Sequence, residues 1–285
     1  MVSKYVVFSK PLQFFNAFNI PDIDESCTFL MTDSFTGARQ LYHKLKMDIG
    51  LNIYFFDNAK LSYEWLIKNS KNGDYLFINS DYGVLQTYWL YYLRKRNIYV
   101  YEEGVGTYRM DLMNKSSVIK SVLRFLGFKS YFGGGRFTKG IYVYDINKYL
   151  VSKPNFSKLV KDFRMDFLSH LKEFKYKYLL NSDKDKISKL NKKKVYLYLT
   201  SWKYNNKIID LIPNDYIKVI KPHPHVNSLD LSKLDSFDVV FGGEGMVEFL
   251  IYDLLQITSE LVIAHESSSA LLYLNSGDNF SEVIL

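Results

Sequence analysis

The stretch KYVVFSKPLQFFNAFNI, residues 4–20, decides the fold class of this chain. A buried-strand pattern over Lys4–Ser9 is followed at once by Pro11, a residue favoured in the first turn of a helix. Leu12–Ile20 then has the apolar spacing of a helix. A strand that leads directly into a helix is the first half of a β-α-β unit, so we expect a parallel sheet covered by helices.

The same alternation of strand and helix patterns continues through both halves of the chain. The first half has further strand patterns at 27–32, 51–56, 75–79 and 98–101, with helical stretches at 36–48 and 85–96. The second half has strand patterns at 195–200, 217–220, 239–241 and 261–264, with helices at 247–255 and 268–274. We therefore predict an α/β protein with two Rossmann-type domains, whose parallel sheets face a central cleft.

The positive charge of the chain is concentrated in one segment. The net charge is +7, and residues 153–194 hold 13 Lys and Arg against 5 Asp and Glu. We interpret 153–194 as a basic helical connection between domains at 1–152 and 195–285. This segment would form a solvated helix face, contact anionic lipid headgroups, or contact an anionic glycan. Nucleic-acid binding is not expected, because the excess of positive charge is confined to this one segment and the sequence has no nucleic-acid recognition motif.

The chain has a composition that suits a reducing compartment. Cys27 is the single cysteine, so no disulfide can form within the chain. Lys10 and Pro11 interrupt the N-terminal apolar run, which argues against a signal peptide. No apolar run is long enough to span a membrane. We therefore expect a cytoplasmic protein.

Two adjacent carboxylates follow the predicted strand at 98–101. Neighbouring residues of an extended chain point in opposite directions, so one of Glu102 and Glu103 can face a ligand while the other faces the protein. Gly104 and Gly106 let the backbone turn and approach a ligand closely. The exposed carboxylate would serve as a general base for a hydroxyl group. The alternative is a solvated acidic turn.

A histidine between two prolines follows the predicted strand at 217–220. Pro222 and Pro224 restrict the backbone on both sides of His223, and Lys221 adds positive charge. A histidine held in this way can donate a proton to a departing phosphate. The alternative is a stiff loop with a surface histidine. The spacing of His223 and His225 does not match a zinc site.

A serine run and an acidic helix start complete the candidate residues. Ser267, Ser268 and Ser269 precede an apolar stretch, where a helix N-terminus would bind an anion such as phosphate or would simply be capped. Glu248 stands in the first turn of another predicted helix, where it would complement the helix dipole or accept hydrogen bonds from a ribose.

The order of these motifs resembles that of the bacterial sialyltransferases. This group includes lipooligosaccharide sialyltransferases and polysialyltransferases, which have the GT-B type of fold. The matching elements are Glu102-Glu103-Gly104, His223-Pro224, Glu248, Ser268-Ser269 and the N-terminal Lys10-Pro11-Leu12-Gln13. The resemblance spans residue 5 to about residue 275 and implies an acceptor-side domain at 1–152 and a donor-binding domain at 195–285.

The resemblance implies a role for each matching residue. Glu102 would be the general base and His223 the general acid toward the leaving CMP phosphate. The supporting residues would be Glu103, Gly104 and Pro224. The CMP donor would be bound by Lys221, Glu248, Ser267, Ser268 and Ser269, and also by Thr200 and Ser201, which follow the first strand of the second half.

The resemblance also implies the reaction. Sialic acid would pass from CMP-sialic acid to a hydroxyl of a bacterial lipooligosaccharide or capsule, with inversion and without a metal or other cofactor. The acceptor would end in galactose or sialic acid. The enzyme would work in the cytoplasm, as a homodimer or at the inner face of the membrane through 153–194. The alternatives are a transferase for CMP-Kdo or a CDP-alditol, and a non-catalytic glycan-binding protein.

Overall fold

The chain forms two compact α/β units. The computed structural model describes residues 2–35, 37–112, 116–125, 128–181, 183–201, 205, 208–223, 234–242, 245–266, 268–274 and 280–285, without the side chains of residues 117, 124 and 269. The first unit comprises Met1–Ser34 and Ala38–His170, and the second comprises Phe35–Gly37 and Leu171–Leu285.

The first unit contains a sheet of seven parallel strands. The strands are β1 (Lys4–Phe8), β2 (Thr28–Thr32), β3 (Ile53–Phe56), β4 (Tyr75–Ile78), β5 (Asn97–Tyr101), β6 (Gly140–Val143) and β7 (Leu159–Asp162). Their spatial order is β3-β2-β1-β4-β5-β6-β7, and every pair is parallel. The central strands are apolar on both faces because helices cover both sides of such a sheet, and Val6, Phe8, Phe77 and Val100 are accordingly buried.

In the described part of the first unit, six helices connect these strands, and a seventh follows the last. They are α1 (Pro11–Phe18), α2 (Ala38–Met47), α3 (Ala59–Asn69), α4 (Val84–Tyr92), α5 (Ser117–Phe125), α6 (Ile146–Ser152) and α7 (Phe167–Glu173). Pro11 occupies the first turn of α1, as the sequence predicted, because its missing N–H has no helical partner at that position. A 3-10 turn over Val105–Tyr108 follows β5.

The second unit contains a sheet of five parallel strands. The strands are β8 (Lys194–Leu199), β9 (Ile217–Lys221), β10 (Val239–Val240), β11 (Glu260–His265) and β12 (Phe280–Ile284), in the order β10-β9-β8-β11-β12. Its helices are α8 (Lys177–Leu180), α9 (Lys184–Ser188), α10 (Ile208–Leu211) and α11 (Val247–Ile257). Tyr198, Ile220 and Ala264 lie at the centre of its core on one face of the sheet.

The two parallel sheets confirm the α/β class expected from the alternating patterns. The extent of the first sheet was not predicted: β6 and β7 both lie outside the strand patterns. β7 lies within the basic segment 153–194 and pairs with β6 through Lys161 opposite Tyr142. The Lys161 ammonium lies over the rings of Tyr99 and Tyr142, at 4.9 and 5.2 Å. This long basic side chain therefore covers aromatic surface while its charge stays at the edge of the sheet.

A second difference concerns the helix predicted over 268–274. The structure has only a 3-10 turn, Ser269–Leu272. The connection between the parallel strands β11 and β12 comprises residues 266–279. The described residues that follow the turn, Tyr273 and Leu274, do not continue it as a helix.

Cys27 is buried and is not part of a disulfide. Within the described ranges, no helix has the length and apolar character that crossing a bilayer requires.

Candidate functional site

The polar residues of the first unit gather where three neighbouring strands end. Ser9 and Lys10 follow β1, Asn79 follows β4, and Glu102 and Glu103 follow β5. The strand order reverses between β1 and β4, because β2 and β3 lie on one side of β1 while β4 to β7 lie on the other. Ligands of open parallel sheets bind beyond the carboxyl ends of the strands at such a reversal. This edge is therefore the candidate site of the first unit.

Glu102 is turned into the protein. Its side chain is fully buried, and its Oε2 accepts hydrogen bonds from the Tyr108 hydroxyl at 2.6 Å and from the Tyr144 backbone N–H at 2.8 Å. Burial lowers the pKa of nearby Lys153 to about 8, an effect that attraction to Glu102 opposes. The Lys153 ammonium donates to the Thr107 carbonyl at 2.7 Å. Glu102 therefore ties the turn after β5 to the end of β6.

Glu103 is turned toward the edge of the sheet and is half-buried. Its Oε2 accepts a hydrogen bond from the Gln13 side-chain amide at 2.6 Å, and its backbone N–H donates to the Thr107 hydroxyl at 3.1 Å. Among the described residues, none donates a hydrogen bond to its Oε1. Burial raises the pKa of Glu103, while the Lys10 charge and the Gln13 hydrogen bond oppose this rise. A partly exposed carboxylate with a raised pKa is suited to act as a general base.

Gln13 is the centre of a polar network that holds Glu103. The Gln13 side chain is buried, and its Oε1 accepts from the Ser9 backbone N–H at 2.7 Å and from the Asn79 amide at 3.0 Å. This fixes the orientation of the Gln13 amide, whose Nε2 must then donate to Glu103. The sequence indicated Gln13 only by resemblance and did not indicate Ser9 or Asn79. Their position directly after strand ends was the available signal.

Gly104 allows the backbone turn that separates the acidic pair from the 3-10 turn. Its φ is 115°, a region that residues with a side chain rarely adopt. Its carbonyl accepts a hydrogen bond from the Thr107 N–H at 2.9 Å. The backbone conformation therefore favours glycine at position 104, whether or not a ligand binds nearby.

The candidate residues of the second unit also follow neighbouring strands. Thr200 and Ser201 follow β8, Lys221 ends β9, and His223 comes two residues later. The His223 backbone N–H donates to the Thr200 hydroxyl at 2.8 Å, and the Thr200 N–H donates to the Lys221 carbonyl at 3.3 Å. The chain after β9 is thus fixed against the end of β8, with the imidazole half-buried.

Lys221 and Glu248 are buried close to each other. The Lys221 ammonium donates to the Gly242 carbonyl. Burial raises the pKa of Glu248 to about 7, and this rise is opposed by the Glu248 backbone N–H and by the Lys221 charge. Both side chains are buried, and Glu248 lies in the first turn of α11. A carboxyl group with this pKa changes its charge near neutral pH.

Ser268 is held by a histidine and glutamate pair that the sequence did not indicate. The Ser268 N–H donates to His265 Nδ1 at 3.0 Å, and His265 Nε2 lies 2.8 Å from Glu282 Oε1. Because Nδ1 accepts, the proton of neutral His265 must be on Nε2 and point to Glu282. The Ser268 hydroxyl accepts from the Ala270 N–H at 3.2 Å, so it caps the 3-10 turn.

The structure brings the candidate residues together in two groups. Glu102, Glu103 and Gly104 belong to the first unit, and the donor-binding candidates Thr200, Ser201, Lys221, His223, Glu248 and Ser268 belong to the second. Pro224 and Ser267 lie outside the described residues, as does the side chain of Ser269. In the described part of the chain, no group of three or more His, Cys, Asp or Glu side chains is arranged to bind a metal ion.

Comparison with known proteins supports the architecture. The sequence matches no protein-family model and no curated protein. Solved structures do match. A UDP-N-acetylglucosamine 2-epimerase from Rickettsia bellii is 14% identical, with a TM-score of 0.52, and a putative one from Listeria monocytogenes is 11% identical, with a TM-score of 0.56. Each match covers 94% of this chain and 75% of the other.

A third match is the wall teichoic acid polymerase TagF with CDPG, at 12% identity and a TM-score of 0.54. It covers 94% of this chain and 66% of the polymerase. At these identities the likeness concerns the fold. The two parallel α/β units of this chain therefore have the GT-B type of fold.

Proposed function

We propose that this protein is an inverting glycosyltransferase that moves sialic acid from CMP-sialic acid to a hydroxyl group of a bacterial surface glycan. The observation that carries this proposal is the group at the edge of the second sheet, where Thr200, His223 and Ser268 follow three adjacent strands. Beside it, Glu248 is buried with Lys221. The order of the motifs supports CMP-sialic acid as the donor.

The second unit would bind the CMP part of the donor. β9 and β11 flank β8, so their ends stand about 10 Å apart. A phosphate over the end of β8 would be within reach of His223 on one side and of Ser268 on the other. Ionised Glu248 would accept hydrogen bonds from the ribose hydroxyls. Lys221, which is bound to the Gly242 carbonyl, would act by stabilising the charge of Glu248.

The first unit would supply the base. We assign this role to Glu103 in place of Glu102, because Glu102 is fully buried and bound to Tyr108 and Tyr144. Glu103 would remove the acceptor hydroxyl proton while the acceptor oxygen forms its bond to the anomeric carbon. The bond from that carbon to the CMP phosphate breaks, and His223 gives its proton to the phosphate. The reaction needs no covalent intermediate, and we propose that it needs no metal.

Substitution of His223 tests the leaving-group assignment. His223→Ala should lower kcat for transfer by about 100-fold, as expected for loss of a general acid. The control is His43→Ala, because His43 is an exposed histidine on α2. Near-normal turnover of His223→Ala, with the control unchanged, would remove His223 from the mechanism.

A panel of donors tests the substrate class. Transfer or hydrolysis would be measured with CMP-sialic acid, CMP-Kdo, CDP-glycerol and UDP-N-acetylglucosamine, each with and without EDTA. We expect turnover of CMP-sialic acid that persists in EDTA. Turnover of CMP-Kdo or CDP-glycerol alone would place the chain among the transferases for other surface polymers. Turnover of none of the four would favour a glycan-binding protein.

A further inference from the structure

Helix α5 exposes its apolar face. Val118, Ile119, Val122 and Phe125 lie on one side of the helix, and Val118 and Phe125 are 71% and 91% exposed. A surface helix ordinarily turns such a stripe toward the core, because burial removes apolar area from water. These four residues, which we call the α5 face, are therefore placed to meet something outside the unit.

The chain around the α5 face is basic. Residues 109–129 contain five Lys and Arg and one acidic residue, Asp111, which gives a net charge of +4. Asp111 is already paired with Lys120, at 2.8 Å. Arg109 precedes the helix in the chain, Lys129 follows it, and both are exposed. An apolar stripe with flanking cations is the pattern of helices that lie in the headgroup region of a bilayer.

Helix α4 presents a second exposed apolar side. Its exposed residues are Val84, Leu85, Tyr88, Tyr91 and Tyr92, and the exposed Arg94 and Lys95 follow it. The N–H of Gly83, at its start, donates to the Lys129 carbonyl at 3.4 Å, which joins this helix to the chain after α5. Tyrosine is enriched where a protein meets the boundary between hydrocarbon and water.

Charge decides between the two simplest occupants of this surface. A second copy of the chain, packed symmetrically, would bring the same cations face to face and would be opposed by their repulsion. An anionic lipid surface has the complementary charge, and each cation near it adds to the attraction.

The basic segment 153–194 is less suited to this contact. Among its described cations, Lys153 donates to the Thr107 carbonyl, Arg164 to the Pro21 carbonyl and Lys177 to Asp253. Lys186 similarly donates to the Val240 carbonyl. These four cations bind the protein itself, so part of the charge of the segment is not available to lipid, although Lys172 and Lys189 are exposed. The flanks of α5 combine exposed charge with exposed apolar side chains.

We propose that this protein docks on anionic lipid bilayers through the α5 face, with α4 as an adjoining contact. The apolar side chains enter the headgroup region, and Arg109 and Lys129 contact lipid phosphates. This attachment does not depend on the proposed reaction. It would hold the protein beside molecules that are themselves anchored in the bilayer.

Vesicle sedimentation of the full chain tests this contact. We expect binding to vesicles of phosphatidylcholine with phosphatidylglycerol, weaker binding to phosphatidylcholine alone, and a decline with added salt. Val122→Glu and Phe125→Glu should each lower the partition coefficient about tenfold or more, because each moves a charge into the apolar layer. Their controls are Val151→Glu on α6 and Met47→Glu on α2, which alter exposed apolar residues on other helices.

Circular dichroism would confirm that all four variants fold. Unchanged vesicle binding by Val122→Glu and Phe125→Glu would overturn the proposal. Absence of wild-type binding to the anionic vesicles would also overturn it. A lipid-free dimer in analytical ultracentrifugation that these two substitutions dissociate would assign the α5 face to a second copy instead.

Discussion

At the scale of single residues, the adjacent Glu102 and Glu103 have different surroundings although they are neighbours in the chain. Successive side chains of an extended segment point in opposite directions. Glu102 therefore enters the interior, where Tyr108 and Tyr144 bind it, while Glu103 reaches the edge of the sheet and Gln13. Two identical side chains are thus an internal anchor and a half-buried carboxylate, which we propose is the base.

Replacing each glutamate by glutamine should separate these roles. Glu103→Gln should lower turnover by about 100-fold with little change in thermal stability, because the amide cannot accept a proton. Glu102→Gln should lower the free energy of unfolding by about 1–3 kcal/mol, because an amide oxygen is a weaker acceptor than a carboxylate oxygen for the two hydrogen bonds from Tyr108 and Tyr144. Urea unfolding and transfer assays on both variants measure this. A Glu103→Gln variant with full turnover would return the base role to Glu102 or to another group.

Glu248 should make both stability and donor binding depend on pH. Its pKa is raised to about 7 in the folded protein, so between the unfolded value of 4.5 and about 7 the folded state binds the extra proton. The free energy of unfolding contributed by Glu248 therefore falls as pH rises through this window, by roughly 3 kcal/mol at most.

Urea unfolding at pH 5 and pH 8 would measure this effect. Glu248→Gln removes the titrating group, so the fall in stability should be smaller in this variant than in the wild type. CMP should bind the wild type more tightly at pH 8, where the carboxylate is ionised and accepts hydrogen bonds. An identical pH dependence in both proteins would contradict the assignment.

At the scale of structural elements, a buried carboxylate holds the loop before β6. Asp81 accepts hydrogen bonds from the backbone N–H groups of Gly133 and Gly135, each at 2.8 Å, and from the Thr138 hydroxyl at 2.6 Å. Burial raises the pKa of Asp81, which these hydrogen bonds and Lys158 oppose. A Cβ at Gly135 would lie 2.7 Å from Asp81 Oδ2, so the loop needs glycine there.

Loss of this anchor should loosen the loop. Asp81→Asn should lower the free energy of unfolding by about 1–3 kcal/mol, because the amide cannot accept from all three donors. Asp48→Asn is the control, since Asp48 is an exposed carboxylate at the end of α2. Thermal unfolding of the two variants provides the comparison. Equal melting temperatures would show that the three hydrogen bonds contribute nothing net.

At the scale of the whole molecule, the two sheets divide the proposed work. The residues proposed to bind the donor lie at the carboxyl edge of the second sheet, and the acidic pair lies at that of the first. A bound ligand makes local unfolding of the segments that form the binding site less frequent, because binding stabilises the folded form by mass action. Nucleotide binding should therefore leave an uneven pattern of protection along the chain.

Hydrogen exchange with and without CMP should show this pattern. We expect slower exchange in 197–201, 217–223 and 246–250 of the second unit, and little change in 28–32 and 53–56 of the first. UDP and GDP provide the matched controls for the base. Protection confined to the first unit would contradict the donor assignment.

The class of the fold and the position of the candidate residues were predictable from the sequence. Strand and helix patterns have short periods, so Lys4–Ser9 and Pro11 identify a strand and a helix without knowledge of their partners. The rule that ligands bind at the carboxyl ends of parallel strands then indicates the edge that carries them. β7 escaped prediction because it lies in a basic segment, and β6 begins at Gly140, a residue type that is depleted in strands.

What only the tertiary structure decided was the surroundings of each side chain. The resemblance implied Glu102 as the base, but the packing of β6 and of the turn after β5 buries it, while Glu103 is half-buried at the edge of the sheet. Likewise, Glu282 meets His265 only because β12 pairs with β11. Burial and hydrogen bonding depend on residues far apart in the chain, whereas the patterns that define a helix or strand are local.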